Sequence, residues 1–306
     1  MRKGAAQRAA YLADYIRRMF AHPLNRSRPF GTALRYLRWH VGSRVLAHPV
    51  AYPFVNELRV LVGTGMWGAT GVAHFGLEEF EDMAFCAHWL DADSMLVDVG
   101  ANYGTFSLIG AGVAGARVEA VEANPRTAAA LRDNLRLNNL EARVSVHNVA
   151  AGPADGELFF SDGLRAGDHV LSAEEAATQP SLRVPQQRLD ALVRLDRPAF
   201  MKIDVEGFEG MVLAGAGGLL ADGHLQVVLV EDVGLGQNYP GCVPVTETLL
   251  AAGFARHAYD PFSRQLSPLA ADAPATGRNS IWLRDAADAA ARVRCAPPLR
   301  VMGQSL

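Results

Sequence analysis

A short apolar run that ends in a glycine turn is the feature that most constrains the fold of this chain. Residues Met95–Val99 are apolar except for Asp98, and Gly100 and Gly104 follow closely. The next residues, Thr105–Val113, are typical of a helix. Glycine permits a tight turn with positive φ and lets a ligand approach the backbone, while a helix N-terminus offers free N–H groups. The stretch therefore predicts a strand, a ligand-binding turn and a helix.

The spacing of this turn and the acids around it indicate the kind of ligand. The turn reads Gly-x-x-x-Gly, which is looser than the Gly-x-Gly-x-x-Gly turn that holds a dinucleotide pyrophosphate. Asp98 precedes it and suits a ligand with a cationic amino-acid part. The second strand, Arg117–Glu122, ends in Glu122, whose carboxylate can accept hydrogen bonds from both ribose hydroxyls. We interpret the pattern as an S-adenosylmethionine site. A plain βαβ unit whose glycines only turn the chain is the alternative.

Three motifs together resemble the FkbM family of S-adenosylmethionine-dependent methyltransferases. They are Asp98–Gly104, Val121–Pro125 and Lys202–Gly210, and the resemblance covers about 77–283. It implies an α/β class I methyltransferase fold, which is Rossmann-like, with a mostly parallel seven-stranded sheet and helices on both faces. It also implies O-methylation of a hydroxyl on a small molecule or saccharide. The resemblance does not fix the acceptor.

The predicted cofactor residues lie at the ends of the predicted strands. We expect the glycine turn to hold the methionine part of the cofactor and Glu122 to hold its ribose. The segment 148–152 follows the third strand, where open α/β sheets place ligands, and its backbone is a candidate for the adenine edge. An ordinary strand exit is the alternative there. The full predicted set is Asp98, Gly100, Asn102, Gly104, Glu122, Asn124, Asn148 and Ala150.

The predicted catalytic residues follow the fourth strand of the domain, Ala199–Asp204. Lys202 and Asp204 lie on one side of that strand because side chains alternate along it. Paired carboxylates can deprotonate a hydroxyl, bind a divalent metal or hold an acceptor amine. We predict Asp204 as base or acceptor anchor with Glu206 as its helper, and no resident metal. A helix start whose acids, including Glu209, favour the macrodipole is the alternative.

The overall composition fits a soluble α/β enzyme without a nucleic-acid partner. The chain has 306 residues, is 50% hydrophobic and carries a formal net charge of −3. Its three cysteines, Cys86, Cys242 and Cys295, lie far apart and show no metal spacing. No run approaches the roughly 20 apolar residues of a transmembrane helix, and charged residues interrupt the start where a signal peptide would be apolar. We therefore expect a cytoplasmic protein.

The chain divides into an extension (1–76), a methyltransferase domain (77–296) and a tail (297–306). Ala5–Phe20 and Ala33–Leu46 read as amphipathic helices. Docking onto a membrane surface or a partner is one interpretation of them. We favour the other, two helices packed on the main domain with their arginines in solvent. We expect a β-hairpin region between 51 and 76 and a mobile tail. A glycine-rich phosphate loop at 62–71 is the alternative, but no Lys-Ser or Lys-Thr pair follows, so it is not a P-loop.

One long loop is predicted inside the domain. Gly156–Ser161 and Leu182–Gln187 read as the two strands of a hairpin, and Asp162–Pro180 separates them. Loops of this length are often functional lids. Asp168 and His169 are a possible acid/base pair within it, although a lone loop histidine is more often only solvated.

Three functions remain open from the sequence. An S-adenosylmethionine-dependent methyltransferase explains the most residues. A nicotinamide-dependent oxidoreductase shares the βαβ unit and the ribose acid, but the second glycine of the dinucleotide turn is missing. A non-catalytic methyltransferase-like module that binds a partner through its arginine-bearing helices is the third.

Overall fold

The fold is taken from a computed structural model, which describes residues 2–46, 48–63, 65–162, 169–231, 239, 241–273 and 278–306. The helices are α1 Arg2–Ala21, α2 Pro29–Val45, α3 Trp67–Phe75, α4 Phe80–Trp89, α5 Thr105–Leu108, α6 Pro125–Leu137, α7 Ala173–Ala176, α8 Leu189–Leu192, α9 Glu209–Ala214, α10 Gly217–Ala221, α11 Val245–Ala251 and α12 Ala286–Cys295. A π-helical turn, Ile109–Val113, continues α5. The strands are β1 Val50–Pro53, β2 Arg59–Val62, β3 Met95–Val99, β4 Arg117–Val121, β5 Val144–His147, β6 Ala150–Ala151, β7 Gly156–Ser161, β8 Val170–Leu171, β9 Ser181–Gln187, β10 Ala199–Ile203, β11 Leu225–Glu231, β12 Ala255–Asp260, β13 Gln265–Pro268, β14 Asn279–Leu283, β15 Arg300–Val301 and β16 Gln304–Ser305.

The main sheet confirms the predicted fold class. Its strand order in the described chain is β13-β12-β14-β11-β10-β3-β4-β5. Strands β5, β4, β3, β10 and β11 run parallel, and β14 is antiparallel between β11 and β12. This is the predicted mostly parallel sheet with one further antiparallel strand, β13, paired to β12 at its edge. The two apolar clusters that cover its faces supply the core.

The strand order positions the site. The chain leaves β3 towards β4 on one side, whereas β10 lies on the other side of β3. Such a reversal leaves a crevice at the carboxyl ends of the central strands, where α/β folds bind ligands. The glycine turn after β3 and the acidic loop after β10 therefore meet at this crevice.

A second, four-stranded sheet carries the predicted hairpin. Strands β7 and β9 pair antiparallel over six residue pairs, as predicted. The segment between them is not a structureless loop, because β8 pairs with β7 and helix α7 has a Ser172–Glu175 capping box. The predicted residue Asp168 lies outside the described residues.

The tail is ordered, so its predicted mobility is wrong. Strands β15 and β16 form a small hairpin, and Val301 is fully buried where it bridges to Val55. Gln304 donates a hydrogen bond to the carbonyl of Leu24, 2.6 Å away. The tail therefore packs against the extension, because its alternate apolar residues find partners that the tail's own sequence does not reveal.

The extension is helical as predicted but differs in detail. Strands β1 and β2 form the expected hairpin, and Trp67–Phe75 of the same glycine-bearing region form helix α3, which was not predicted. Helix α2 begins at Pro29, which occupies its first turn, rather than at Ala33. Local glycine content misled the prediction, since α3 packs on α2 and β2 and its tertiary contacts outweigh the low helix propensity of glycine.

Candidate active site

The glycine turn after β3 is tied to both neighbouring strands. The N–H groups of Gly100 and Ala101 donate to the carbonyl of Val121, at 2.9 and 3.0 Å. On the other side, the N–H of Asp204 donates to the carbonyl of Val99 at 3.1 Å. The ends of β4, β3 and β10 are thus locked together, and the turn is held rigidly at the crevice.

Both glycines of the turn are required by packing within the protein. Gly100 has φ +75°, and a Cβ built there would lie 1.8 Å from the Asp204 carbonyl oxygen. Gly104 has φ +87°, and its Cβ would lie 2.1 Å from Cδ1 of Leu131 on α6. Gly100 therefore lets the turn approach the backbone of Asp204, and Gly104 leaves room for the Leu131 side chain. The positive φ of both glycines was expected, whereas these contacts within the protein were not.

Glu122 anchors the turn from the end of β4. Its two carboxylate oxygens accept backbone hydrogen bonds from Asn102 at 2.9 Å and from Asn124 at 2.8 Å. The side chain is buried, and burial raises the pKa of Glu122 to about 7, although both hydrogen bonds act to lower it. Each carboxylate oxygen can accept a further hydrogen bond, so a pair of hydroxyls remains a suitable ligand.

The predicted residues Asn124, Asn148 and Ala150 each have a structural contact within the protein. The Asn124 side chain caps α6 by accepting from the N–H of Arg126 at 2.9 Å. Asn148 donates to the carbonyl of Glu122 at 2.8 Å and so holds the loop after β4. Ala150 is buried in β6 of the smaller sheet. Asn124 and Asn148 thus hold the loop that follows Glu122, whereas Ala150 belongs to the smaller sheet.

A buried charged group lies beneath the turn. Lys202 is 4% exposed, and its Nζ lies 3.1 Å from Oδ2 of Asp204 and 4.0 Å from Oδ1 of Asp98. Asp98 is fully buried and accepts a 2.6 Å hydrogen bond from Ser107. The predicted placement of Lys202 and Asp204 on one side of the strand is confirmed. Asp98 faces Lys202 and Ser107, so it acts on the site through Lys202.

Lys202 sets the charge of Asp204. Burial acts to raise the pKa of Asp204, but the charge and hydrogen bond of Lys202 outweigh it and hold that pKa below its usual range. Burial acts to lower the pKa of Lys202, and the carboxylates of Asp204 and Asp98 instead raise it. Asp204 is therefore an ionised carboxylate, with a side chain 26% exposed.

A small cavity of about 50 Å³ opens where these groups meet. Its walls come from the glycine turn, the start of α5, the end of β10 and the residues before α4. The lining residues are Glu78, Glu79, Met83, Gly100, Ala101, Asn102, Tyr103, Thr105, Phe106, Lys202 and Asp204. The turn and the Asp204 carboxylate thus share one cavity.

Asp204 forms a carboxylate triad with Glu206 and Glu231 on the outer side of the site. One oxygen from each lies within 4.8 Å of the others, so the triad could supply oxygen ligands to a divalent cation. Arg278 contacts Glu206 at 3.3 Å and also pairs with Glu231, so two of the three acids already have a cationic partner. Burial, together with the charges of Asp204 and Glu206, raises the pKa of Glu231 to about 8.

The loop after β10 turns through two residues with positive φ, Glu206 and Gly207. Glu206 has φ +53°, which is uncommon for a residue with a side chain, and Gly207 continues the turn at φ +98°. Glu209 is buried, and its Oε1 accepts hydrogen bonds from the N–H groups of Val205 and Gly207 at 3.1 and 3.0 Å. Glu209 therefore holds the loop in place.

The sequence reasoning missed a second acidic group at this site. Glu79 and Asp82 both accept from Nδ2 of Asn279, at 2.6 and 2.9 Å. Burial and the nearby charge of Asp204 raise the pKa of Glu79 to about 8. Glu78 and Glu79 lie just before α4, which begins at Phe80. The Glu79–Asn279 contact joins residues 200 positions apart, so the sequence near either residue does not indicate it.

Comparison with known protein families identifies the chain. Residues 98–254, just over half of the 306, match the model described as the methyltransferase FkbM domain. The chain belongs to this family. The match begins at Asp98 and includes Glu122, Lys202, Asp204 and Glu206, whereas Glu79, Arg278 and Asn279 of the site lie outside it.

Solved structures with related folds are methyltransferases of low similarity. Precorrin-6y C5,15-methyltransferase from Geobacter metallireducens is 16% identical, with 67% of this chain and 86% of that chain covered at a TM-score of 0.36. An S-adenosylmethionine-dependent O-methyltransferase from Thermotoga maritima is 12% identical, with 67% and 63% covered at a TM-score of 0.33. TYW2 from Pyrococcus horikoshii is 22% identical, with 34% of this chain covered at a TM-score of 0.28, and the chain spans only 37% of its length. A search of curated proteins returned no match.

These structures are too dissimilar to indicate what the FkbM domain of this chain acts on. Family membership nevertheless favours methyl transfer over the nicotinamide-dependent oxidoreductase that the βαβ unit left open. Among the described residues, no helix combines the length and apolar character needed to span a membrane.

Proposed function

We propose that this FkbM-family chain transfers a methyl group from S-adenosylmethionine to a hydroxyl of a small molecule or saccharide. The observation that carries the proposal is the position of Asp204. Its carboxylate, kept ionised by Lys202, lines the same cavity as the glycine turn that Glu122 anchors. A proton acceptor and a cofactor-binding turn thus lie side by side.

The residues present fit the cofactor. Glu122 combines burial with spare acceptor capacity, which suits the two ribose hydroxyls. The turn is rigid, and Asn102, on its exposed side, has φ +52°. The cavity of about 50 Å³ is far smaller than the usual 300–1,000 Å³ of a ligand pocket. It therefore suits the reacting groups, while the nucleoside would lie along Glu122.

The chemistry requires little from the protein beyond position and one proton acceptor. Bound S-adenosylmethionine supplies a methyl group that is already activated for displacement. Asp204 would accept the hydroxyl proton as the acceptor oxygen forms its bond to the methyl carbon and the bond from that carbon to sulfur breaks, so that S-adenosylhomocysteine leaves. Glu206 and Arg278 border Asp204 on its outer side, where they can hydrogen-bond the acceptor.

The test combines labelled S-adenosylmethionine with a defined panel of acceptors. Purified protein is incubated with the methyl-labelled cofactor and monosaccharides, glycosides and small phenols or alcohols, and products are read by mass spectrometry and NMR. We expect methyl ethers. Asp204→Asn should lower the rate by about 10²–10⁴-fold while the S-adenosylmethionine Kd changes by less than about threefold.

Two results would contradict this function. Methyl transfer found only on nitrogen, carbon or nucleic-acid acceptors would exclude the hydroxyl assignment. Full activity of Asp204→Asn would exclude this base. Parallel reactions with EDTA and with Mg²⁺ test the carboxylate triad: we expect equal rates, because Arg278 already pairs with Glu206 and Glu231.

A further inference from the structure

Helix α2 carries an apolar face that the described residues of the chain leave uncovered. Five of its large apolar residues recur at helical spacing and are 56–91% exposed: Phe30, Leu34, Leu37, Val41 and Val45. At 100° per residue they fall within a stripe about 80° wide. We call them the α2 stripe. This outcome contradicts the interpretation in which the apolar face of the helix packs on the main domain.

The orientation of α2 is fixed by its other face. Trp39 and Thr32 are buried, and Arg35 donates to Oδ1 of Asn25 at 2.6 Å and to the carbonyl of His74 at 3.0 Å. Arg35 was expected in solvent and instead anchors the helix. Because the polar anchors and Trp39 point inward, the stripe must point outward along the whole length of the helix, about 25 Å.

The charge around the stripe is strongly asymmetric within the chain. Residues 1–49 contain ten arginines and lysines against one acid, Asp14, whereas the other 257 residues contain 19 basic and 31 acidic residues. Arg38 and Arg44 are exposed on either side of the stripe. A helix with an aliphatic and aromatic stripe between arginines has the character of helices that lie in the interface of an anionic membrane.

A cavity adjoins the same face. It has a volume of about 530 Å³ between α2 and the β1–β2 hairpin, and Leu34, Arg38 and Leu46 belong both to its lining and to the exposed surface. Arg35 and Trp39 line it as well. An apolar cavity with arginines at its side would thus open next to the headgroup region if α2 lay on a bilayer.

We propose that the α2 stripe docks this protein onto the surface of an anionic phospholipid bilayer. The stripe inserts among the acyl chains near the headgroups, and Arg38 and Arg44 contact lipid phosphates. A second copy of the chain is the rival occupant, because its acidic body could attract the basic extension. The bilayer is favoured because the stripe is a single straight row that matches a planar interface, with its charges placed at headgroup level.

Vesicle co-sedimentation tests the proposal. The full chain is mixed with vesicles of phosphatidylcholine and phosphatidylglycerol at 70:30, and with phosphatidylcholine alone, at 50 and 150 mM salt. We expect binding to the anionic vesicles that weakens with salt and is at least tenfold weaker on the neutral ones. Leu37→Ser/Val41→Ser/Val45→Ser should lower the affinity at least tenfold, as should Arg38→Glu/Arg44→Glu.

Matched surface variants outside the extension serve as controls. Leu250→Ser removes an exposed leucine of α11, and Arg194→Glu reverses an exposed charge; both should bind like the unmodified chain. Unchanged binding of the triple serine variant would overturn the proposal. The proposal would also be overturned if the unmodified chain does not bind vesicles and forms a dimer by light scattering, and if the triple serine variant is a monomer. Neither vesicle co-sedimentation nor light scattering depends on methyl transfer, so membrane docking is tested independently of the proposed function.

Discussion

Gly100 lies so close to the backbone of Asp204 that a methyl group on its Cα would stand 1.8 Å from the Asp204 carbonyl oxygen. This contact joins the turn proposed to hold the cofactor to the residue proposed to accept the proton. The separation between methyl donor and proton acceptor is therefore set by backbone packing between β3 and β10, with no flexible side chain in between. Rigid placement of this kind is what a displacement reaction needs.

The first prediction concerns this contact. Gly100→Ala should lower the free energy of unfolding by about 2 kcal/mol or more, because it adds a backbone clash and a positive φ that alanine disfavours. Urea unfolding measures the change. Gly217→Ala is the matched control, since a Cβ there meets nothing within 4 Å. That variant should be neutral or slightly stabilising, and an equal loss in both variants would contradict the packing argument.

The second prediction concerns pH. Glu79 and Glu231 have their pKa raised to about 8, so the folded state keeps protons that the unfolded chain releases, and stability falls as pH rises towards 8. Burial lowers the pKa of His22, His74 and His88 to about 4. Below about pH 6.5 these histidines gain protons in the unfolded chain before they do in the fold, so stability falls as pH falls.

Above about pH 6.5 the histidines are largely neutral in both states, so stability should fall as pH rises. We expect Glu79 and Glu231 to lower the free energy of unfolding by about 3 kcal/mol between pH 6.5 and 8, and Glu122, whose pKa is also raised, adds to this fall. Urea titrations at a series of pH values measure it. Glu79→Gln and Glu231→Gln should each flatten the curve between about pH 4.5 and 8, the range that separates the unfolded and folded pKa of each carboxyl. A stability that keeps rising to pH 8 would show that these carboxyls are not protonated in the fold.

The third prediction concerns the buried lysine. Lys202→Met leaves the carboxylates of Asp98 and Asp204 without their cation, so the free energy of unfolding should fall by about 3–5 kcal/mol. Lys202→Met/Asp98→Asn removes one of the unpaired charges and should recover part of the loss. A double variant that loses the sum of the two single losses would mean that Lys202 and Asp98 do not interact.

The sequence predicted the parts of the site that lie close together along the chain. The strand, glycine turn and helix of 95–113 are confirmed, as is the cap of α6 by Asn124, since both depend on local backbone chemistry. The shared side of Lys202 and Asp204 followed from strand alternation alone. Such features are visible in sequence because few residues and no distant partners determine them.

The rest of the site depends on contacts between distant segments. Asn279 donates a hydrogen bond to Glu79, 200 positions away in the chain, and the sequence near either residue does not indicate this contact. Gly100 was expected to have a positive φ, and it does, but its contact with the backbone of Asp204 was not predicted. The ordered tail and the exposed α2 stripe were missed for the same reason: burial is set by partners elsewhere in the fold.

Calorimetric titration with S-adenosylmethionine tests the central claim most directly. We predict micromolar binding to the unmodified chain and no binding of NADH. Glu122→Gln should weaken binding about 10–100-fold, because it removes a charged acceptor that also holds the turn. Glu119→Gln, a buried acid on the same strand that pairs with His147 and Arg117, should bind normally. Absence of S-adenosylmethionine binding to the unmodified chain, with and without Mg²⁺, would contradict the account and favour a non-catalytic binding module.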